Sequence, residues 1–144
     1  MRFDLKYIEE NDALEKLIAK GEGEQLDFKQ SISNAKKIAK TLVAFANTTG
    51  GKLLIGVNDS GLIVGCEIEE EMYMIDLAIT QYCQPKIAVE FSVYEFDEML
   101  NVLVVDVKNN SIKQAYFSLD DNNEWQYYIR QHDKTIHAQV DDKC

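Results

Sequence analysis

The stretch AFANTTGGKLLIGVNDSG, from Ala44 to Gly61, restricts the fold more than any other part of the chain. It holds four of the seven glycines, and it follows a run in which Ala35, Ile38 and Leu42 recur at helical spacing. The apolar segment KLLIGV after the glycines has the composition of a strand. A helix that stops at two glycines and continues as an apolar strand predicts a domain in which helices pack on a sheet.

We interpret these glycines as a helix stop rather than as a nucleotide-binding loop. Glycine-rich loops bind phosphate best where they lead into a helix N-terminus. Here the helix precedes Gly50 and Gly51, so it presents its carbonyl end to the loop. Lys52 follows the glycines directly, which does not match the G-x-x-x-x-G-K-[ST] pattern. We therefore expect Gly50 to end the helix in a left-handed conformation and Gly51 to let the chain reverse into the sheet.

Periodicity and capping residues predict three helices and one early strand. The helices are residues 11–20, capped by Asn11 or Asp12 and ended by Gly21; residues 33–47, capped by Ser33 or Asn34; and residues 67–83, ended by Pro85. The segment EQLDFK has the alternation of a half-buried strand, with Leu26 and Phe28 facing inward.

The rest of the chain is predicted to form hairpins. They span 52–64, then IAVEFSVYEF and LNVLVVDV around DEM, then KQAYFSL and WQYYIRQ around DDNNE. The final KTIHAQV fits a helical turn or a short strand equally well. We expect an α+β fold in which a mixed sheet with hairpins is packed by two or three helices. The chain is read as a single domain, 1–144, with the helix at 11–20 in front of a core at about 22–138.

Composition narrows the class of protein. The chain has 144 residues and a formal net charge of -10, and its apolar runs are far shorter than a membrane span. The N-terminal MRFDLKYIEEND carries acids where a secretory signal has an apolar segment, so we expect a cytoplasmic location without membrane contact. Cys66, Cys83 and Cys144 match no zinc or disulfide spacing and are interpreted as free thiols.

Charge is distributed unevenly along this acidic chain. Between Phe28 and Leu53 there are five lysines and no acid: Lys29, Lys36, Lys37, Lys40 and Lys52. Phosphate binding draws its affinity from such side chains, so a locally basic face is one interpretation. The alternative is a solvated helix face on which the lysine stems cover apolar surface.

Three blocks of sequence resemble one known family. They are EGEQLDFKQS, AKTLVAFANTTGGKLLIGVNDSGLIVGC and YYIRQHDKT, in that order. Together they resemble the AlbA-like domain of Schlafen proteins, which has been described both as a DNA-binding domain and as a divergent AAA or ATP-binding domain. The resemblance implies the Schlafen-core α+β fold and an association with nucleic acid. ATPase activity is not expected, because the glycines follow a helix instead of leading into one.

The resemblance also implies a carboxylate site of the kind that cleaves structured RNA with Mg²⁺ or Mn²⁺. Glu22 matches the first glutamate of the family, and Asp27 stands where a second glutamate is usual. The third acid falls on Asn58 or Asp59, and an asparagine there would break the triad. With Asp59 in that place, the catalytic and metal-binding residues would be Glu22, Asp27 and Asp59. The alternative for these residues is solvated acids near strand ends.

Three functions follow as hypotheses. The first is a regulatory module that binds RNA or DNA through basic side chains: Lys29, Lys36, Lys37, Lys40 and, by resemblance, Arg130. Tyr127 and Tyr128 could stack on bases in such a module, or pack within a hairpin. The second is a divalent-metal-dependent endoribonuclease that uses the three acids. The third is a protein-interaction module, including a homodimer, without nucleic-acid binding.

Overall fold

The computed structural model describes residues 5–9, 12–97, 99–109 and 114–140. Its helices are α1 (Ala13–Ala19), α2 (Ala35–Asn47) and α3 (Ile68–Tyr82). Its strands are β1 (Lys6–Glu9), β2 (Leu26–Lys29), β3 (Gly51–Ile55), β4 (Cys83–Gln84), β5 (Val89–Asp97), β6 (Leu100–Val107), β7 (Phe117–Leu119), β8 (Trp125–Gln131) and β9 (Lys134–His137). The predicted residues Asn11, Glu98, Lys113 and Cys144 lie outside the described ranges.

Within the described residues, the strands form two sheets. A five-stranded sheet has the order β1-β5-β6-β3-β2, and a four-stranded sheet has the order β4-β7-β8-β9. The first sheet is mixed, because β1 lies parallel to β5 and β2 lies parallel to β3, whereas β6 is antiparallel to both β3 and β5. The second sheet is antiparallel. The predicted α+β class with a mixed sheet and hairpins is therefore confirmed.

The five-stranded sheet is covered on both faces. Alternate residues of β3 divide between the two sides, because successive side chains of a strand point to opposite faces. Leu53 and Ile55 join the cluster formed with α2 and α3. Leu54 joins a smaller cluster around Leu14 of α1. The second sheet packs against α2 through contacts of β7, β8 and β9 with that helix.

The helix α2 begins and ends as its sequence predicts. The side chain of Asn34 caps it by accepting the N–H of Lys37 at 3.0 Å. At the other end, Gly50 adopts a φ of +76°, and its N–H donates to the carbonyl of Phe45 at 2.8 Å. A Cβ at Gly50 would lie 2.8 Å from the carbonyl oxygen of Val107, so the position requires glycine for space as well as for conformation.

The predicted hairpin at 52–64 is wrong. After β3 the chain makes a turn in which only the isolated bridge between Val57 and Ile63 is formed among the described residues. Both edges of β3 are already occupied, one by β2 and the other by β6, so no edge is free for a hairpin partner. The hairpins β5–β6 and β7–β8 are confirmed, and KTIHAQV contributes the strand β9.

Two remaining predictions concern thiols and membranes. Cys66 and Cys83 are free, and burial raises the pKa of Cys66 to about 11 and that of Cys83 to about 12, so neither is a reactive thiolate near neutral pH. In the described part of the chain, no helix combines the length and the apolar character that crossing a membrane requires.

Candidate functional site

The strand β2 lies at the edge of the five-stranded sheet, and the segment before it covers that edge. The carboxylate of Glu22 accepts the N–H of Phe28 at 2.9 Å. The N–H of Gly23 donates to the carbonyl of Leu26 at 2.8 Å. These bonds pair edge groups that would otherwise face solvent or another chain. Glu22 therefore has a structural task in addition to any chemical one.

Asp27 is buried on the α2 side of this strand, with 5% of its surface exposed. The predicted half-buried strand is therefore wrong on this point, because Leu26 and Phe28 are buried on the opposite face as well. Burying a carboxylate is costly unless it is paired. Asp27 has two partners: its Oδ1 lies 3.4 Å from Nη2 of Arg130, and its Oδ2 lies 3.6 Å from Nζ of Lys29.

Arg130 is buried too, with 4% exposed, and its guanidinium points into the protein. Nε donates to the carbonyl of Gly23 at 3.0 Å, and Nη1 donates to the hydroxyl of Thr135 at 3.2 Å. The group also lies 4.9 Å from the centre of the Phe45 ring. This network ties β8 of the second sheet to β2 of the first. Arg130 is thus a cross-link between the two sheets, and it is not presented to a phosphate at the surface.

Glu22 and Asp27 form a pair of neighbouring carboxyl groups. Burial and a hydrogen bond with Asp27 raise the pKa of Glu22 from 4.5 to about 7, although the N–H of Phe28 acts in the opposite direction. Two carboxylates in contact repel each other, so the pair retains a proton up to neutral pH. This is the strongest perturbation of an acid near the predicted site.

The structure does not join the third predicted acid to this pair. Asp59 is exposed in the turn after β3. The side-chain carbonyl of Asn58 is occupied within the same turn, accepting the N–H groups of Ser60 at 3.0 Å and Leu62 at 2.9 Å. Throughout the described ranges there is no group of three or more histidine, cysteine, aspartate or glutamate side chains that could hold a metal ion.

The residues present therefore do not fit a three-carboxylate Mg²⁺ or Mn²⁺ site. Such ions take several oxygen ligands, yet here Glu22 accepts a backbone N–H and Asp27 is held by Arg130 and Lys29. The carboxylate of Glu24, another acid close to Glu22 in the sequence, is also engaged, because it accepts the hydroxyl of Thr49 at 3.0 Å. We derive no metal-dependent step from this arrangement.

The predicted lysines divide into two groups by their partners. Lys36 lies 3.7 Å from Oδ1 of Asp121 and 5.5 Å from the centre of the Tyr82 ring, and Lys40 lies 5.5 Å from the Tyr128 ring. Lys37 is exposed and forms no ion pair with any described residue. Lys37 and Lys29 line one cleft together. The fifth lysine of the acid-free segment, Lys52, pairs with Asp106 at 3.1 Å on the other side of the sheet.

The aromatic and amide side chains of the region hold α2 against the second sheet. Asn47 donates to the carbonyls of Tyr116 at 2.9 Å and Tyr128 at 2.8 Å, and it accepts the N–H of Tyr116 at 2.8 Å. Tyr128 also lies 5.5 Å from the ring of His137. Its ring is thus engaged by Lys40 and His137, as expected for a residue packed within a hairpin.

Partners that come from distant parts of the chain were not predicted from the sequence. Asp121 and Tyr82 hold Lys36, while Gly23 and Thr135 hold Arg130. No local pattern marks such partners, because each belongs to a separate element that folding brings to the site. The burial of Arg130 in particular follows from the packing of β8 against α2.

Comparison with known proteins places this geometry in a family. A sequence profile described as Schlafen, AlbA_2 matches residues 22–139. The crystal structure of the DIP2311 protein from Corynebacterium diphtheriae is similar in fold, with a TM-score of 0.54 and 19% identity. That match covers 80% of this chain and 22% of DIP2311, so the chain spans about a fifth of that protein. No curated protein matches at a significant level. Because the profile spans most of the chain, including β2, α2, β3 and β8, the protein belongs to the Schlafen AlbA_2 family.

Proposed function

We propose that the chain is a nucleic-acid-binding module that contacts phosphates through the lysines of α2 and the adjoining end of β2. The observation that carries this proposal is the acid-free segment from Phe28 to Leu53 in a chain with a formal net charge of -10. Four of its lysines lie on α2 or at the end of β2. Family membership supports nucleic-acid association in general terms.

The ion pairs set the expected strength of binding. Asp121 offsets Lys36, and Asp27 partly offsets Lys29, whereas Lys37 has no such partner among the described residues. At most four phosphates would be neutralised by this surface. The logarithm of the affinity for single strands falls by roughly 0.7 per phosphate for each tenfold rise in salt. We therefore expect a slope of about -2 to -3 and weak binding at physiological salt.

A salt titration with matched charge variants tests this proposal. Fluorescence anisotropy would follow labelled single-stranded RNA, structured RNA and duplex DNA, starting at low salt. The test variant is Lys36→Gln/Lys37→Gln/Lys40→Gln. The control is Lys16→Gln/Lys20→Gln/Lys134→Gln, which removes the same charge at exposed positions outside α2.

We expect the test variant to lose most of the affinity and the salt slope, while the control retains both. Equal losses in the two variants would indicate that total charge matters and that α2 is not the contact surface. If the unmodified chain bound none of the three nucleic acids at low salt, the proposal would be wrong.

A metal-dependent ribonuclease is the second candidate, and the paired carboxyls of Glu22 and Asp27 beside Lys29 favour it. Since the described residues supply two neighbouring acids, a third ligand would have to come from outside the pair. Incubation of tRNA with the protein and Mn²⁺ is the direct test. Glu22→Gln is the suitable variant, because its amide oxygen can still accept the N–H of Phe28. Cleavage that disappears in this variant would rank the enzyme first, and cleavage that persists would indicate a contaminant.

The dimer and the cytoplasmic location remain predictions. Light scattering at increasing protein concentration tests whether two chains associate. A mass that stays at that of a single chain of 16.5 kDa would contradict pairing.

A further inference from the structure

A small cleft lies between the end of β2 and the first two turns of α2. Its volume is about 160 Å³, and its polar lining consists of Lys29, Ser31, Ser33, Asn34, Lys37 and Thr41. Asn34, Lys37 and Thr41 follow one another at intervals of three and four, so they share one face of the helix. The other lining residues are two isoleucines. The lining thus contains two cations, three hydroxyls, an amide and no acid.

The electrostatics of this cleft favour an anion. The helix α2 has 13 residues and no acid in its first turn. Its N–H groups at Ala35 and Lys36 have no acceptor within the helix, which is general for a first turn. The positive end of the helix dipole adds to the charges of Lys29 and Lys37. Two acids lie nearby without lining the cleft. Asp27 is 3.6 Å from Lys29 and is also held by Arg130, and the carboxylate of Glu71 accepts the N–H of Ile32 at 2.9 Å.

Thr41 provides an independent indication of a ligand. It is 8% exposed, yet its hydroxyl has no hydrogen-bond partner among the described residues. Two other threonines behave differently: the hydroxyl of Thr48, at the C-terminal end of α2, donates to the carbonyl of Ala44 at 2.8 Å, and that of Thr80, in α3, donates to the carbonyl of Asp76 at 2.9 Å. In the described part of the chain, the only fully buried side-chain polar atom without a partner is Oγ of Ser118, so the Thr41 hydroxyl is open to the cleft that it lines. It is a donor that the helix does not use and that is available to whatever occupies the cleft.

We propose that this cleft binds a phosphate group. Lys29 and Lys37 would neutralise its charge, while the hydroxyl of Thr41 would donate to one of its oxygens. Pockets that enclose whole small molecules measure roughly 300–1,000 Å³, so a cleft of about 160 Å³ fits a single phosphate and not a nucleotide. The phosphate can belong to a nucleic-acid backbone, in which case the inference rests on the proposed function, or to a free phosphate.

The primary test is a titration with inorganic phosphate against chloride at constant ionic strength, followed by amide chemical shifts. The test variants are Thr41→Val, which keeps the shape and removes the hydroxyl, and Lys37→Gln. The matched controls are Thr80→Val, which removes a hydroxyl from α3, and Lys16→Gln on α1. Thr41→Ser keeps a hydroxyl, and it serves as a rescue. Thermal melting of each variant checks that it is folded.

We expect phosphate to shift the amides of residues 35–37 and 41, and we expect each test variant to weaken binding roughly tenfold, as the loss of a hydrogen bond to a charged group predicts. The controls and Thr41→Ser should bind as the unmodified chain does. No phosphate-specific shift, or equal binding in Thr41→Val, Lys37→Gln and the controls, would overturn the proposal.

Labelled RNA distinguishes the two sources of phosphate. If Thr41→Val weakens RNA binding as well as phosphate binding, the cleft takes a backbone phosphate. If Thr41→Val weakens phosphate binding but not RNA binding, the cleft is a site for free phosphate. If the chain bound RNA but its amide shifts did not respond to phosphate, the cleft would not be a phosphate site, and the proposed function would be unaffected.

Discussion

Replacing Arg130 by methionine tests the buried cross-link between the two sheets. The substitution keeps an apolar stem of similar length and removes the guanidinium, which leaves the carboxylate of Asp27 without its buried partner. The side chains of Arg130 and Asp27 are 2% and 7% exposed, and they lie 3.4 Å apart. Removing one member of such a pair costs about 3–5 kcal/mol. Domains of this kind have total stabilities of about 5–15 kcal/mol, so the loss should be large.

Urea unfolding followed by fluorescence and circular dichroism measures this loss, and the matched control is Lys29→Met. Lys29 also pairs with Asp27, but its side chain is 40% exposed, and exposed pairs contribute only about 0–1 kcal/mol. We therefore expect Arg130→Met to lower the free energy of unfolding by several times more than Lys29→Met. The double variant Arg130→Met/Asp27→Leu should recover much of the loss, because it leaves no unpaired buried charge.

Two results would refute this reasoning. If Arg130→Met and Lys29→Met cost the same, the buried pair would not be what holds β8 to β2. If the double variant were as unstable as Arg130→Met alone, the loss would come from the hydrogen bonds to Gly23 and Thr135, and not from an unpaired carboxylate.

Three further predictions concern pH, charge and backbone conformation. Because the folded chain raises the pKa of Glu22 from 4.5 to about 7, the folded state holds this proton more tightly than the unfolded state, so stability should fall as pH rises through that interval. Glu22→Gln should flatten the dependence in denaturant titrations at several pH values, and an unchanged slope would contradict it. Asp121→Asn should free Lys36 and tighten RNA binding roughly 2- to 5-fold in the anisotropy assay, whereas weaker binding would exclude Lys36 as a contact. Gly50→Ala should cost roughly 3 kcal/mol or more in thermal or urea unfolding, but Gly21→Ala only about 1 kcal/mol. Both glycines have a φ of +76°, but only at Gly50 would the new Cβ meet a carbonyl of β6; equal costs would contradict the clash.

Local sequence patterns predicted those parts of the fold that depend on neighbours in the chain. The helix α2 follows from its apolar spacing, its cap at Asn34 and its stop at Gly50, all within one segment. The hairpins β5–β6 and β7–β8 follow from alternation around polar turns. In each case the stabilising partner lies a few residues away, so the local pattern contains the information.

Pairings between distant segments could not be read in the same way. The parallel pairs β1–β5 and β2–β3 join strands separated by a helix or more, and nothing in EQLDFK identifies the strand beside it. The 52–64 hairpin was predicted because a turn flanked by apolar residues is its usual signature. That local signature contains no information about β2 and β6, which occupy both edges of β3 in the fold.

For the candidate site, the sequence predicted which residues would be involved more reliably than it predicted the burial and the partners of their side chains. Glu22 and Asp27 do come together. The alternation of apolar and polar residues in EQLDFK predicted that Asp27 faces solvent, whereas it is buried. Its carboxylate is stabilised there by Arg130, which lies far along the chain. Asp59 lies in an exposed turn after β3. Its position in the sequence does not indicate whether its side chain faces Glu22 and Asp27 or the solvent. Thr41 was not predicted, because the local sequence does not distinguish a helical threonine whose hydroxyl faces a cleft from one that bonds to its own backbone.

The position of Arg130 has a consequence for how binding experiments must be interpreted. Lys40 lies over Tyr128 of β8, so its placement depends on how the second sheet docks against α2 and β2. Arg130 fixes that docking from within the protein. An Arg130 variant can therefore lose RNA binding through a displaced sheet, without ever having contacted a phosphate. Variants at Lys37 and Thr41 do not disturb this cross-link, and they separate contact with the ligand from support of the fold.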